Sequence, residues 1–405
     1  MSALTEIRTR CVIVGGGPAG MMSGYLLARA GVEVVVLEKH GDFNRDFRGD
    51  TIHPSTLELM HELGLLEEFL KLPHQELRQI RGIFNGHAVT MADFSWLPTR
   101  CKFIAFMPQW DFLSFLSAHA KRFPTFALHM QHEVVDLLFD NGRVAGVRAK
   151  TPQGERLVHA DLVIGADGRH AVTHSAGGFE HRDFGAPIDV LWMRLSKRPG
   201  DAPQSLGFFQ HGKLLVLIDR GDYFQVGFVI PKGGFDEIKQ RGLAALHRDI
   251  VQLGSFLNDR IHELDDWSKV KLLTVQINRL RRWCREGLLC IGDSAHAMSP
   301  AGGVGINLAV QDAVATANLL AAKLTDRAVT VDELEKVQAR REFPVKVIQR
   351  IQVLIHRRIN GRTSGTGDRL PLLPRLFVCF PVLRALPAYL IGVGPRSEHL
   401  HSPQA

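Results

Sequence analysis

Two apolar periods alternate at the start of the chain. Cys11 to Val14 is a short, unbroken apolar run of strand type, Met21 to Ala30 repeats its apolar positions at helical spacing, and Val32 to Leu37 is a β-branched run ending on Glu38. Gly31 stops the intervening helix, so the pattern predicts one βαβ unit. A second helix is predicted over "HPSTLELMHELGLL", opened by Pro54, capped by Ser55 or Thr56, with Leu57, Met60, Leu63 and Leu66 inward. From about His129 to Ala149 apolar and polar residues alternate around "DNG", a hairpin signal, and Leu162 to Gly165 is a buried strand running into Asp167 and Gly168. Between about Val190 and Val275 the runs "IDVLWMRL", "SLGFFQHGKLLVLIDRGDYFQVGFVIP" and "KVKLLTVQI" read as antiparallel strands with "DRGD" as a tight turn. "GLLCIGD" is one more buried strand, a long helix follows from about Gly305 to Leu324, and the remainder is helical.

This order predicts an α/β protein: a Rossmann-like nucleotide domain, an inserted, mostly antiparallel β-sheet domain for substrate, and a helical, apolar C-terminal region. The expected nucleotide domain comprises residues 1–80, 101–185 and 279–330, the inserted domain 81–100 and 186–278, and the C-terminal region 331–405.

Composition changes this picture little. With 405 residues, 45% apolar and 22% charged, the chain has the make-up of an ordinary globular enzyme, which argues against disorder and against a membrane channel. "MSALTEIRTR" has no apolar stretch before a cleavage site, so a cytoplasmic location is expected. Cys11, Cys101, Cys284, Cys290 and Cys379 form no CxxC pair, which argues against a disulfide framework or a zinc site and for buried, inert thiols. The net charge of +7 favours anions: dinucleotide phosphates, acidic lipid surfaces or nucleic acid. No zinc-finger spacing or RNP-like motif supports the last, and no nucleic-acid partner is expected.

Gly15, Gly17 and Gly20 form a GxGxxG pattern between strand and helix. The first permits a tight turn, the second lets backbone approach a pyrophosphate, and the third allows close packing; the helix N-terminus offers its positive end to phosphate. Glu38 stands where a carboxylate accepts from a ribose hydroxyl. Further on, "GDSAH" at 292–296 brings an aspartate, a serine and a histidine within one turn. Residues of one short turn point apart and cannot converge as a catalytic triad, and His296 takes the place of the last glycine of a nucleophile elbow. Asp293 instead ends a strand where an α/β sheet presents ligands, with Ser294 and His296 as turn and packing residues. Pro300, Gly302, Gly303 and Gly305 then lead into a helix and gather backbone N–H groups at one spot.

"VIVGGGPAG...LEK", "GADGRH" and "GDSAHAMSPAGGVGINLAVQDA", in this order, resemble the three signatures of the single-component FAD-dependent monooxygenases related to para-hydroxybenzoate hydroxylase, over roughly residues 8 to 330. The resemblance implies extended FAD, with its ADP half at Gly15, Gly17, Pro18, Ala19, Gly20, Glu38 and Lys39. It further implies Arg48 at the pyrophosphate, Gln109 at the ribityl or phosphate region, Asp167 and Gly168 of the middle signature, and Asp293 at the ribitol hydroxyls. Pro300 and the run Gly303, Val304, Gly305, Ile306 and Asn307 would face the pyrimidine edge. One departure weakens the middle signature: Ala171 and His174 replace its usual serine and arginine, so its double role toward FAD and NAD(P)H is in doubt.

The implied reaction is hydroxylation of an aromatic, quinone-like or other hydrophobic small molecule, with NAD(P)H as transient co-substrate and O2 passing through a flavin C4a-hydroperoxide. The absent cysteine pair speaks against disulfide reductases, the absent Trp-x-Trp spacing against halogenases, and no second strand-linked GxGxxG indicates a separate nicotinamide domain; "GRTSGTG" reads as a loop. A reductase or dehydrogenase of an isoprenoid or polyketide, and a flavoprotein without turnover, remain as alternatives. Trp192, Phe208, Phe209, Phe224 and Phe228 could wall the pocket or simply fill a core. His53, His211 and Tyr223 are the candidate polar helpers. In the C-terminal region, basic and apolar residues alternate and Pro371, Pro374, Pro381 and Pro387 break any spanning helix, which leaves a cap over the pocket or a peripheral membrane patch.

Overall fold

A computed structural model describes residues 5–44, 51–201, 206–210, 212–360 and 372–405. Strand β1 (Thr5–Val14), helix α1 (Pro18–Arg29) and strand β2 (Val34–Glu38) form the first unit, and β1 and β2 run parallel with Cys11 facing Val34. On its other side β1 pairs in parallel with the strand Gly154–Gly165, which in turn pairs in parallel with Leu288–Cys290. Phe126–Met130 extends the sheet beyond β2. Each central strand is buried on both faces, which is why each reads as an unbroken apolar run rather than an alternation. The helix Gly305–Asp326 lies against α1 in this core. It is long and apolar enough to cross a membrane, but 83% of its apolar window is buried inside the protein.

The predicted hairpin is present as Glu133–Asp140 and Arg143–Thr151; Asn141 and Gly142 both have positive φ (48° and 82°), the requirement of a two-residue type I′ turn. A second, seven-stranded sheet follows the order 271–273, 188–196, 223–231, 213–219, 206–210, 79–84 and 87–93. Its ladders are antiparallel apart from the parallel pairing of 206–210 with 79–84. One face packs Leu191, Met193, Phe224, Val226 and Phe228 against Leu246 and Ile250. These last belong to the helix Leu243–Leu253, and the helix Phe235–Gln240 adds Ile238 to the same core; the strand pattern of this region concealed both helices. A separate three-stranded sheet has the order Thr51–Ile52, Ile104–Phe106 and Gln75–Leu77.

Of the two roles weighed for Phe208, Phe224 and Phe228, they take the second and fill the core of the sheet-helix layer. Two expectations are corrected. The helix Pro54–Glu62 has His53, not Ser55 or Thr56, at its N-cap. Cys379 is exposed, whereas the other four thiols are buried; burial pushes Cys290 up to about 12 and also raises Cys11. The long helix Val331–Asn360 contains Pro344 and is followed by short helices at Leu372–Cys379 and Ala385–Gly392.

Candidate functional site

Val14, Gly165 and Cys290 stand side by side at the carboxyl ends of three parallel strands. The three glycine- and aspartate-bearing turns therefore emerge together, and they touch. A side chain on Gly15 (φ +103°) would overlap the carbonyl of Ala166, one on Gly20 would overlap the carbonyl of Gly15, and one on Gly292 would come 3.1 Å from Ala19. At Gly17 nothing lies within 4 Å, so the turn faces open space there, and no side chain caps the first turn of α1. Glu38 braces the glycine turn: its Oε2 accepts from the Gly16 N–H at 2.8 Å and its Oε1 from the His40 N–H at 3.0 Å. Lys39 is exposed beside it.

On the second turn, Asp167 accepts from the Thr173 N–H at 3.0 Å and its hydroxyl at 2.6 Å. Burial outweighs these bonds and raises the Asp167 carboxyl above its ordinary value. Gly168 (φ +84°) faces open space. Asp293 accepts from the Arg169 Nε–H at 3.1 Å, and the same guanidinium reaches the Met298 carbonyl. Arg169, His170, His174, Asn278 and Ser294 line an open cavity of about 360 Å³ beside this pair. His174 occupies the position where the resembling family has arginine, with its Nδ1 3.3 Å from the Ser294 carbonyl.

Behind "GDSAH" lies a buried ionic chain. Asp312 accepts from the Gly292 N–H at 3.0 Å, from His296 Nε2 at 2.6 Å and from Arg341 Nε at 2.9 Å. Arg341 also reaches Glu398, which pairs with Arg340. Burial alone would raise Asp312; the His296 and Arg341 charges reverse that and hold its carboxyl below the ordinary value. His296 is therefore more than a packing residue: it ties the turn to the helix Gly305–Asp326. Sequence reading missed Asp312, Arg341 and Glu398, although a lone acid in the apolar run "INLAVQDAVATA" is a usable signal.

The loop that follows is held from two sides. Gln352 Nε2 donates to the carbonyls of Ser299 and Ala301, while Ser299 Oγ meets His356 Nε2 at 2.9 Å. From the other side Thr51 Oγ1 donates to the Gly303 carbonyl at 2.8 Å, and a side chain on Gly303 (φ +63°) would come against that hydroxyl. The hydroxyls of Ser55 and Thr56 both donate to Asn307 Oδ1, at 2.7 and 2.9 Å, which is what draws them away from capping their own helix. Among the described residues the Asn307 amide nitrogen and the Gln109 side chain, at the head of the helix Gln109–Ala120, have no hydrogen-bond partner. Pro300, Val304 and Ile306 complete the loop, and Gly305 faces open space.

The candidate helpers fare differently. His53 is fully buried, with Nδ1 2.7 Å from the Ile391 carbonyl and Nε2 3.0 Å from the Gly303 carbonyl; burial pushes it down to about 4 despite those bonds. Each nitrogen faces a backbone carbonyl, and the neutral ring donates its single N–H to one of the two, so His53 is turned toward the chain's own backbone at both nitrogens. The Tyr223 ring lies under the Arg194 guanidinium at 3.9 Å, in a separate open concavity of about 400 Å³ with Asp222, Glu263 and Lys269. Arg48, His211 and "GRTSGTG" fall outside the described residues.

Residues 8–350 match the family model described as FAD binding domain. The chain is 32% identical over 363 residues to 6-methylpretetramide 4-monooxygenase of Streptomyces rimosus, covering 88% of this chain and 86% of the relative. Its fold resembles that of Pseudomonas aeruginosa PqsL in complex with 2-aminobenzoylacetate (TM-score 0.75, 22% identity, 88% of this chain and 97% of that one). It also resembles that of OxyS anhydrotetracycline hydroxylase from Streptomyces rimosus (TM-score 0.74, 24% identity, 95% of this chain and 76% of that one).

Proposed function

The chain belongs to the FAD binding domain family, and from that premise we propose that it is an FAD-dependent monooxygenase using NAD(P)H and O2 to hydroxylate an aromatic, quinone-like or other hydrophobic small molecule. The observation that carries the reading is the meeting of three turns at the carboxyl ends of parallel strands, where an α/β sheet receives a dinucleotide. The residues fit FAD. The backbone is open at Gly17, Gly168 and Gly305, and among the described residues the Gln109 amide and the Asn307 amide nitrogen have no hydrogen-bond partner.

In this reading Gly15, Gly17, Pro18, Ala19 and Gly20 bring the N-terminus of α1 to the pyrophosphate, with Arg48 as a further cation. Glu38, at the end of β2 beside the glycine turn, is placed to accept from a ribose hydroxyl, with Lys39 alongside. Asp293, oriented by Arg169, holds ribitol hydroxyls with help from Gln109; Asp167 and Gly168 shape the turn beneath. Pro300 and Gly303 to Asn307 offer N–H groups to the electron-rich edge of the ring. When bound, the flavin supplies the redox chemistry, taking a hydride from NAD(P)H and activating oxygen. The chain contributes position and dryness: His53, fully buried with each nitrogen against a backbone carbonyl, serves as a wall rather than as a base.

The test is turnover under isotopically heavy oxygen gas with a panel of phenols and quinols. Label in the product supports hydroxylation; NAD(P)H-driven conversion without label favours the reductase reading. Each of the two roles weighed for the C-terminal region has an observation in its favour. Ala388 and Ile391 pack on Phe94, Leu97 and Ile104, as a cap does. Outward, Leu372, Val378, Phe380, Val382 and Leu386 are exposed, and Asp368 is the sole acid between Phe343 and Ser397. That combination supports peripheral contact with an acidic membrane surface, which flotation with acidic phospholipid vesicles tests.

A further inference from the structure

The face of the seven-stranded sheet turned away from the helices Phe235–Gln240 and Leu243–Leu253 carries an unusual row. Trp192, Gly227, Val216, Gly207 and Gly82 oppose one another in register across neighbouring strands. Opposed residues of a ladder share a face, so this row has three positions without a side chain. Aromatic rings are laid down in the space. The six-membered ring of Trp192 lies on Gly227, where an added Cβ would come 2.9 Å from Cζ3. Phe84 and Phe209, stacked with centroids 4.5 Å apart and 3° between planes, reach over Gly82 and Gly207.

On one side the adjoining residues Val190, Val229, Leu214 and Phe209 are apolar. On the other stand Ile218, Gln225 and Arg194, and both polar groups are engaged: Gln225 Oε1 accepts from Arg220, and Arg194 lies over Tyr223. The ends of the face are closed. Val190, Trp192 and Val229 pack with Val353, next to Gln352, whose amide holds Ser299 and Ala301; Ile80 and Ala92 pack with Ala388 and Ile391, the latter within 4 Å of where a Gly302 side chain would begin. Both closing helices thus also contact the loop Ser299–Gly303. Between them Val216 and Ile218 remain half-buried, so the middle of the face is a partly open floor between two helices that reach that loop.

We infer that this low aromatic floor selects an uncharged, fused polycyclic aromatic substrate over a single carboxylated ring, with Gly227 as a specificity-determining position. The inference rests on the proposed function and deepens it. At about 4.8 Å per strand spacing, the row from Gly227 to Gly82 spans roughly 14 Å, more than one benzene ring needs. A planar polycycle stacks along it. A carboxylate on the same floor would be desolvated with no cation in the row to receive it.

The experiment is equilibrium binding to the FAD-loaded protein, without NAD(P)H, read from perturbation of the flavin absorbance by alizarin (a fused three-ring quinone) and by para-hydroxybenzoate. Alizarin is expected to bind at least roughly tenfold more tightly. Gly227→Ala lifts Trp192 off the sheet, and Val216→Lys puts a charge on a half-buried position that tolerates it. Each is expected to weaken alizarin roughly tenfold while FAD content is retained. Equal or tighter binding of para-hydroxybenzoate, or unchanged alizarin affinity in both variants, overturns the inference. Binding needs no turnover, so discrimination between the probes by a protein that incorporates no oxygen overturns the proposed function alone.

Discussion

Asp312→Asn tests the buried ionic chain most directly. In the native protein one carboxylate oxygen takes the Gly292 N–H and His296, and the other takes Arg341, all out of contact with water. An asparagine must put its NH2 where one oxygen was, so in either orientation a donor faces a donor. The variant also leaves Arg341 with Glu398 as its remaining acidic partner, at 3.3 Å. Breaking a buried pair on one side costs about 3–5 kcal/mol; the surviving Glu398 contact places the expectation at about 3 kcal/mol. That is a large share of the stability of a typical domain. Urea unfolding with FAD in fixed excess measures it, because bound cofactor shifts the midpoint by mass action. Trp283, fully buried with its ring 4.9 Å from that of His296, serves as the fluorescent reporter. Adding Arg341→Met removes the stranded cation and should recover part of the loss. A single-variant loss below about 1 kcal/mol, or no recovery in the double variant, would refute the reasoning.

Other expectations follow from the same geometry. His53 has a folded value near 4 against an ordinary 6.5, so its contribution is fully present above pH 6.5 and lost as pH falls toward 4, about 3 kcal/mol in all; His53→Gln should flatten the difference in unfolding free energy across that window. Gly20→Ala drives a methyl group into the Gly15 carbonyl and should cost about 1–3 kcal/mol, with FAD content after purification falling more than overall helicity. Arg169→Met removes the guanidinium paired with Asp293 and should weaken FAD roughly tenfold by fluorescence titration, with little change in melting temperature. Gln352→Leu strips the Ser299 and Ala301 carbonyls of a shared donor and should destabilise by about 1–3 kcal/mol in thermal unfolding.

The parts of the fold that were legible are those whose signal is local. β1, α1 and β2 could be read because full burial writes unbroken apolar runs and the glycine turn is confined to a few residues. The Asn141-Gly142 hairpin announced itself by its backbone requirement. What escaped depended on distant partners. Ser55 and Thr56 look like caps until Asn307, some 250 positions away, takes their hydroxyls. His53 looks available until Gly303 and Ile391 close on it. Asp312 gains its meaning from Arg341 and Glu398, on segments that carry no motif. Sequence periodicity reports which face is buried; it does not report what lies across the gap.

The sheet bearing the three turns is stitched from residues 5–14, 34–38, 126–130, 154–165 and 288–290, and this has a consequence for synthesis. The inserted strands between 188 and 231 pair with near neighbours along the chain and can condense early, at low loop-closure cost. The strand Leu288–Cys290 arrives only after them, and it brings the third turn with it. On the ribosome the strands of the seven-stranded sheet have therefore all been made while the edge of the other sheet is still open, and retention of the cofactor becomes a readout of whether the last segments have been made and docked.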